Sequence, residues 1–115
     1  MALRLAVLAF ALLVGTTKVD ALVGHVGDVV TLEGTMTAGE GAHLIQEIAE
    51  KRPLYLRLLS GNEVVVYVAQ PPGCAGRVEL VGKVFVLAGT LGKTAAYAEP
   101  QLDVERWRCL LGAAP

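Results

Sequence analysis

The sequence predicts a mainly all-β domain, five strands forming a small barrel with one short helix. Three observations lead there. Apolar and polar residues alternate with a period of two through several short runs. Clusters of Gly, Pro, Ser and Asn separate those runs. Two of the longer runs contain a lone glycine, Gly34 and Gly82, where a strand can bend and so belong to two sides of a barrel.

The first strand is expected over residues 29–36. Val30, Leu32 and Met36 alternate there with Thr31, Glu33 and Thr35. A short helix fits residues 42–50, where Leu44, Ile45, Ile48 and Ala49 make a stripe at helical spacing and Pro53 stands just beyond. Strand two, residues 54–59, sets Leu54, Leu56 and Leu58 on one face and Tyr55 and Arg57 on the other. Ser60-Gly61-Asn62 is a turn, so strands two and three read as a hairpin. Strand three, residues 63–69, is apolar on both faces after Glu63 and is expected to be central. Gln70-Pro71-Pro72-Gly73 breaks the sheet. Strand four spans residues 77–87, a looser stretch follows from Ala88 to Pro100, and strand five covers residues 101–110. Gly27 to Gly34 and Gly76 to Gly82 are faintly alike, each a strand leading into a glycine.

Residues 1–21 read as a cleavable export signal. Arg4 lies near the start, residues 5–15 are almost wholly apolar, and Val19-x-Ala21 satisfies the small-residue rule for cleavage after Ala21. The apolar run is too short for a comfortable membrane span, which needs about 20 residues, and cleavage leaves no stable membrane anchor. The domain is then residues 22–115. The chain carries 10 basic and 11 acidic residues. Removing Arg4, Lys18 and Asp20 leaves 8 and 10, a net charge of −2. That balance argues against a general affinity for nucleic acid or anionic membrane.

Cys74 and Cys109 are the only cysteines. In an oxidising compartment two such residues are expected to pair as a structural bridge. The alternatives are free or intermolecular thiols, or a redox pair, although catalytic pairs usually sit closer in sequence. Trp107 is expected in the core beside the bridge, turned inward by a bulge near Glu105.

No arrangement of chemistry-bearing residues marks a catalytic centre, a metal site or a cofactor site. His25 and His43 are the only histidines, no Cys/His/Asp cluster has metal-ligand spacing, and no Gly-x-Ser-x-Gly or phosphate loop occurs. Glu47, Glu50, Asp103 and Glu105 are most simply read as a solvated face.

The bent strand Gly27-Asp28-Val29-Val30-Thr31-Leu32-Glu33-Gly34, the hairpin over residues 54–69 and the second bent strand Val78-Glu79-Leu80-Val81-Gly82-Lys83-Val84 together resemble an OB-fold. With the export signal, the chain looks like the exported bacterial OB-fold proteins of the periplasm. One departure stands out. The usual OB helix lies between strands three and four, where this chain has only the short segment 71–76. The resemblance implies a ligand face on strands two and three, flanked by the loops joining strands one to two and four to five. Tyr55, Arg57 and Tyr67 would then form the face, with Lys93 and Tyr97 in the last loop. Such an aromatic and cationic surface suits a sugar, a base or a peptide side chain. The expected function is a secreted or periplasmic binding or interaction module with a protein, glycan or small-ligand partner. A single-strand nucleic-acid-binding OB domain is the alternative. For a small enzyme or enzyme inhibitor the sequence supplies no marker residues.

Overall fold

The computed structural model describes residues 22–90 and 96–110. The predicted export signal, with its cleavage point after Ala21, and Lys93 lie outside the described residues. After a 3-10 turn at Val23–His25 come five strands: β1 (Val29–Thr37), β2 (Arg52–Leu58), β3 (Glu63–Val68), β4 (Arg77–Thr90) and β5 (Ala96–Cys109). They close into a barrel in the order β1-β2-β3-β5-β4, with β4 returning to β1. Every neighbouring pair is antiparallel except β3 with β5. This is a closed, OB-like five-stranded barrel.

The alternation read from sequence builds the core. Leu32 from β1, Leu56 and Leu58 from β2, Val64, Val66 and Val68 from β3, Val78, Leu80 and Val84 from β4, and Leu102 and Val104 from β5 are all buried together. Leu22, ahead of the 3-10 turn, joins the same cluster. β3 is buried on both faces from Val64 through Val68, as expected of a central strand. The Leu58 N–H donates to the Asn62 carbonyl and the Gly61 N–H to the Leu58 carbonyl, which closes the β2–β3 hairpin.

The bends fall at the glycines. Gly34 pairs with Leu58 of β2 and with Val78 of β4, so β1 passes from one neighbour to the other there. A Cβ on Gly34 would lie 2.1 Å from the Arg57 carbonyl oxygen, so only glycine allows the two strands to approach this closely. Gly82 sits at a register shift: Val81 pairs with Arg106 and Gly82 with Val104, which leaves Glu105 as the extra residue of a bulge. The two similar glycine-ended segments lie against each other, with Val30 opposite Gly82 and Gly34 opposite Val78.

Three expectations are corrected. Residues 42–50 form no helix; the segment between β1 and β2 is irregular, and the 3-10 turn is the one helical element among the described residues. The looser stretch expected after Leu87 is strand: Leu87 to Thr90 pair with Glu99 to Ala96 as a continuation of the β4–β5 hairpin. Pro100 is tolerated because this part of β5 pairs with β4 alone, and a strand with one free edge accommodates proline. Trp107 is not core. The predicted bulge is present and Trp107 lies opposite Leu80, but the residue is 37% exposed because β5 runs beyond the closed part of the barrel.

Cys74 and Cys109 are joined in a disulfide with their Cα atoms 5.4 Å apart. It ties the β3–β4 connection to the end of β5, and Cys74 packs against the core. A covalent clasp thus stands where an OB helix would otherwise cover this connection. The bridge is compatible with an oxidising compartment.

Candidate functional site

The site is built on the seam between β3 and β5. This seam is thin, with two paired positions, Val66 with Leu102 and Tyr67 with Asp103. Period-two alternation places Glu63 and Tyr67 on the outer face of β3, and Glu99, Gln101 and Asp103 on the outer face of β5. Five polar side chains therefore line one seam, and several are buried: Glu99 is 5% exposed, and Gln101 and Tyr67 are fully buried. Buried polar groups need partners, and the segment 38–51 supplies them.

That segment lies along the seam as a strap. His43 stands between two carboxylates, with Nε2 2.9 Å from Glu63 Oε1 and Nδ1 3.0 Å from Glu99 Oε2. Glu63 also accepts from the Thr37 hydroxyl at 2.9 Å and from the N–H groups of Glu40 and Gly41. Glu99 accepts from the Leu44 N–H and from Gln101 Nε2. Gln101 Nε2 donates in turn to the Leu44 carbonyl at 2.6 Å. The Tyr67 hydroxyl donates to Gln101 Oε1 at 2.7 Å and accepts from the Gln46 N–H. Lys51 closes the far end on Asp103 and on the Val104 carbonyl.

This network explains the missing helix. A nine-residue helix is marginal by itself. The N–H groups of Gly41, Leu44 and Gln46, and the carbonyl of Leu44, find barrel side chains instead of one another. The apolar stripe is split accordingly: the Leu44 side chain lies over Gly89 of β4, and Ile45 stays exposed. Gly39, at φ +89°, lets the strap cross the Tyr55 ring, where any Cβ would meet ring carbons at 2.7 Å.

The electrostatics follow from these contacts. Burial opposes the charge on Glu63, but the Gly41 N–H, His43, Thr37 and the Glu40 N–H together hold its carboxyl down at about 2. Burial lowers the His43 pKa, and the hydrogen bonds and charges of Glu63 and Glu99 outweigh it, so the net shift is upward. A neutral imidazole donates once; an imidazole flanked by two carboxylates is satisfied at both nitrogens only as the cation. Burial, then the neighbouring Glu99 charge, raises the Tyr97 phenol.

The head of the strap, the β2–β3 turn and β5 enclose a cleft of about 490 Å³, lined chiefly by Glu40, His43, Arg57, Asn62, Tyr97 and Glu99. Arg57 and Tyr97, both expected at a ligand site from the sequence, line this cleft. Arg57 Nη2 pairs with Glu40 Oε1 at 2.7 Å, and both are substantially exposed. Tyr55 is placed one layer below, its ring 5.7 Å from that of His43. Tyr67 is not on an open face: it is fully buried beneath the strap, its ring 5.7 Å from Phe85. Asp103 pairs with Lys51 while its side chain stays 40% exposed, and Glu47, Glu50 and Glu105 are exposed.

His43, Glu63, Glu99 and Gln101 escaped sequence reasoning as a group. His43 lies 20 residues from Glu63 and 56 from Glu99 in sequence. Only the recurrence of polar residues at 99, 101 and 103 hinted at a special face, and in isolation that pattern reads as solvent exposure. Among the described residues no group of His, Cys, Asp or Glu has the arrangement of a metal site. Fold and site thus define a small OB-like five-stranded barrel whose β3–β5 seam is covered by its own β1–β2 connection. Comparison with protein-family models, with curated proteins and with solved structures returns no match.

Proposed function

We propose that this chain is a small exported binding module, acting in the periplasm or outside the cell through the cleft above His43. The observation that carries the reading is that cleft, where Arg57, Tyr97, Asn62 and Glu40 present polar groups at the mouth of an OB-like face. The cavity suits a glycan unit or the end of a peptide. Its three carboxylates, Glu40, Glu63 and Glu99, outnumber the cations Arg57 and protonated His43, which disfavours a phosphate backbone and so the single-strand nucleic-acid alternative. Binding is favoured over catalysis because the acid–base groups are locked. His43 has no free nitrogen, and Glu63 is held ionised by four donors. The disulfide supports export, and cleavage after Ala21 would leave Leu22, a core residue, as the first of the mature chain.

The test is a binding screen of the secreted protein by NMR, using neutral oligosaccharides, short peptides and oligo(dT). The reading expects a ligand from the first two sets to shift Asn62 and Tyr97. Arg57→Ala and Tyr97→Ala should each weaken that ligand at least tenfold with the thermal midpoint unchanged. Salt-sensitive oligo(dT) binding, or a ligand indifferent to both substitutions, would overturn it.

A further inference from the structure

We propose that residues 38–51 are a pH-released strap: protonated His43 latches it across the β3–β5 seam, and loss of that proton frees it from the barrel face. The inference concerns the strap itself and stands whether or not the cleft binds a ligand.

His43 Nδ1 and Nε2 each face a carboxylate oxygen within 3.0 Å. The cation donates to both. The neutral ring has one N–H, so one lone pair must confront either Glu63 or Glu99 in a setting where all three side chains are no more than 12% exposed. Water has little room to relieve that contact.

The charged and titratable surroundings of His43 all bear on this step. β3 presents Glu63, β5 presents Glu99 and Tyr97, β2 presents Tyr55 and Arg57, and the strap contributes Glu40. Arg57 is engaged by Glu40 and does not neutralise Glu63 or Glu99 directly. No other cation lines the cleft among the described residues.

What His43 holds is local. Leu44 donates to Glu99 and accepts from Gln101, and Gln46 donates to Tyr67. These bonds lie within three residues of His43 and come away with it. The Lys51 end, bound to Asp103 and the Val104 carbonyl, carries no imidazole and stays as the pivot. Below the strap lies an outer face with Pro53, Tyr55, Val65 and Tyr67 side by side across β2 and β3. Release would bare an aromatic and aliphatic surface on the face that OB-like barrels use for ligands.

The sign follows from linkage. A group whose folded pKa is raised stabilises the closed form fully below its free value, here 6.5, and that contribution is lost as pH rises through the folded value. The latch is therefore closed in mildly acidic solution and weakened above neutrality.

Hydrogen exchange of the ligand-free protein from pH 5 to 9, corrected for intrinsic rates, tests this. Opening at the amides of Leu44 and Gln46 should rise up to tenfold per pH unit from 6.5 towards the His43 folded titration point, then level off. Amides of Val78 and Leu80 in the core should keep their protection throughout. His43→Gln should flatten the strap profile, and Lys51→Met should raise opening at every pH while keeping the profile. A flat wild-type profile, an unchanged profile in His43→Gln, or core amides opening in parallel with the strap would each overturn the proposal. The wild-type profile decides the matter alone if His43→Gln fails to fold.

Discussion

Glu63→Gln is the substitution that loads the site most heavily. The side chain keeps its shape and loses its charge, so Gln stands in for the protonated acid. Glu63 titrates near 2 in place of 4.5, and each unit is worth about 1.4 kcal/mol. The side chain is 10% exposed but lines an open cleft, so solvent screening trims this figure. The carboxylate thus contributes on the order of 3 kcal/mol. A depressed carboxyl stabilises the fold above its free value and loses that contribution as pH falls through its folded value. The full effect is therefore present above 4.5, and roughly half has gone by pH 3. Urea unfolding at pH 6 should show Glu63→Gln weaker by about 3 kcal/mol, and the gap should shrink as pH is lowered. A variant within about 0.5 kcal/mol of wild type at pH 6, with an unchanged acid limb, would refute the reasoning.

The other predictions concern the frame. Replacing Cys74 and Cys109 by serine opens a closed loop of 36 residues and should cost up to about 4 kcal/mol in denaturant unfolding; a loss below about 1 kcal/mol would mean that the clasp adds little. Leu80→Ala, at a fully buried core position, should cost about 2–5 kcal/mol, while Trp107→Ala should fall short of the roughly 3–5 kcal/mol of a buried aromatic because its ring is partly in water. Gly34→Ala should destabilise by more than about 1 kcal/mol, since its methyl would strike the Arg57 carbonyl; a neutral result in thermal melts would show that β1 and β2 separate easily. Intact mass of the secreted protein should place Leu22 first.

The strands were legible because their information is local. Val30/Leu32 and Leu54/Leu56/Leu58 carry the period of a strand, and the valine run of β3 is short, β-branched and bounded by turn residues. The bends at Gly34 and the bulge opposite Gly82 were legible for the same reason. The strap was not. Its stripe at Leu44, Ile45, Ile48 and Ala49 has helical spacing, yet its backbone is claimed by Glu63, Glu99, Tyr67 and Gln101, which arrive from β3 and β5. Long-range hydrogen bonds overrode a weak local preference. Tyr67 was misplaced for the same reason: alternation assigns it correctly to the outer face, but nothing local says that the outer face is covered. Ala88 to Pro100 misled because Gly89 and Pro100 resemble breakers, whereas a hairpin arm with free edges accepts both.

The account turns on the β1–β2 connection lying extended across the β3–β5 seam. Nuclear Overhauser contacts at pH 6 test that most directly. The account predicts contacts between the rings of His43 and Tyr55, and between the Leu44 methyls and the Gly89 α-protons. Sequential helical contacts through residues 42–50, with neither of those pairs in proximity, would contradict it.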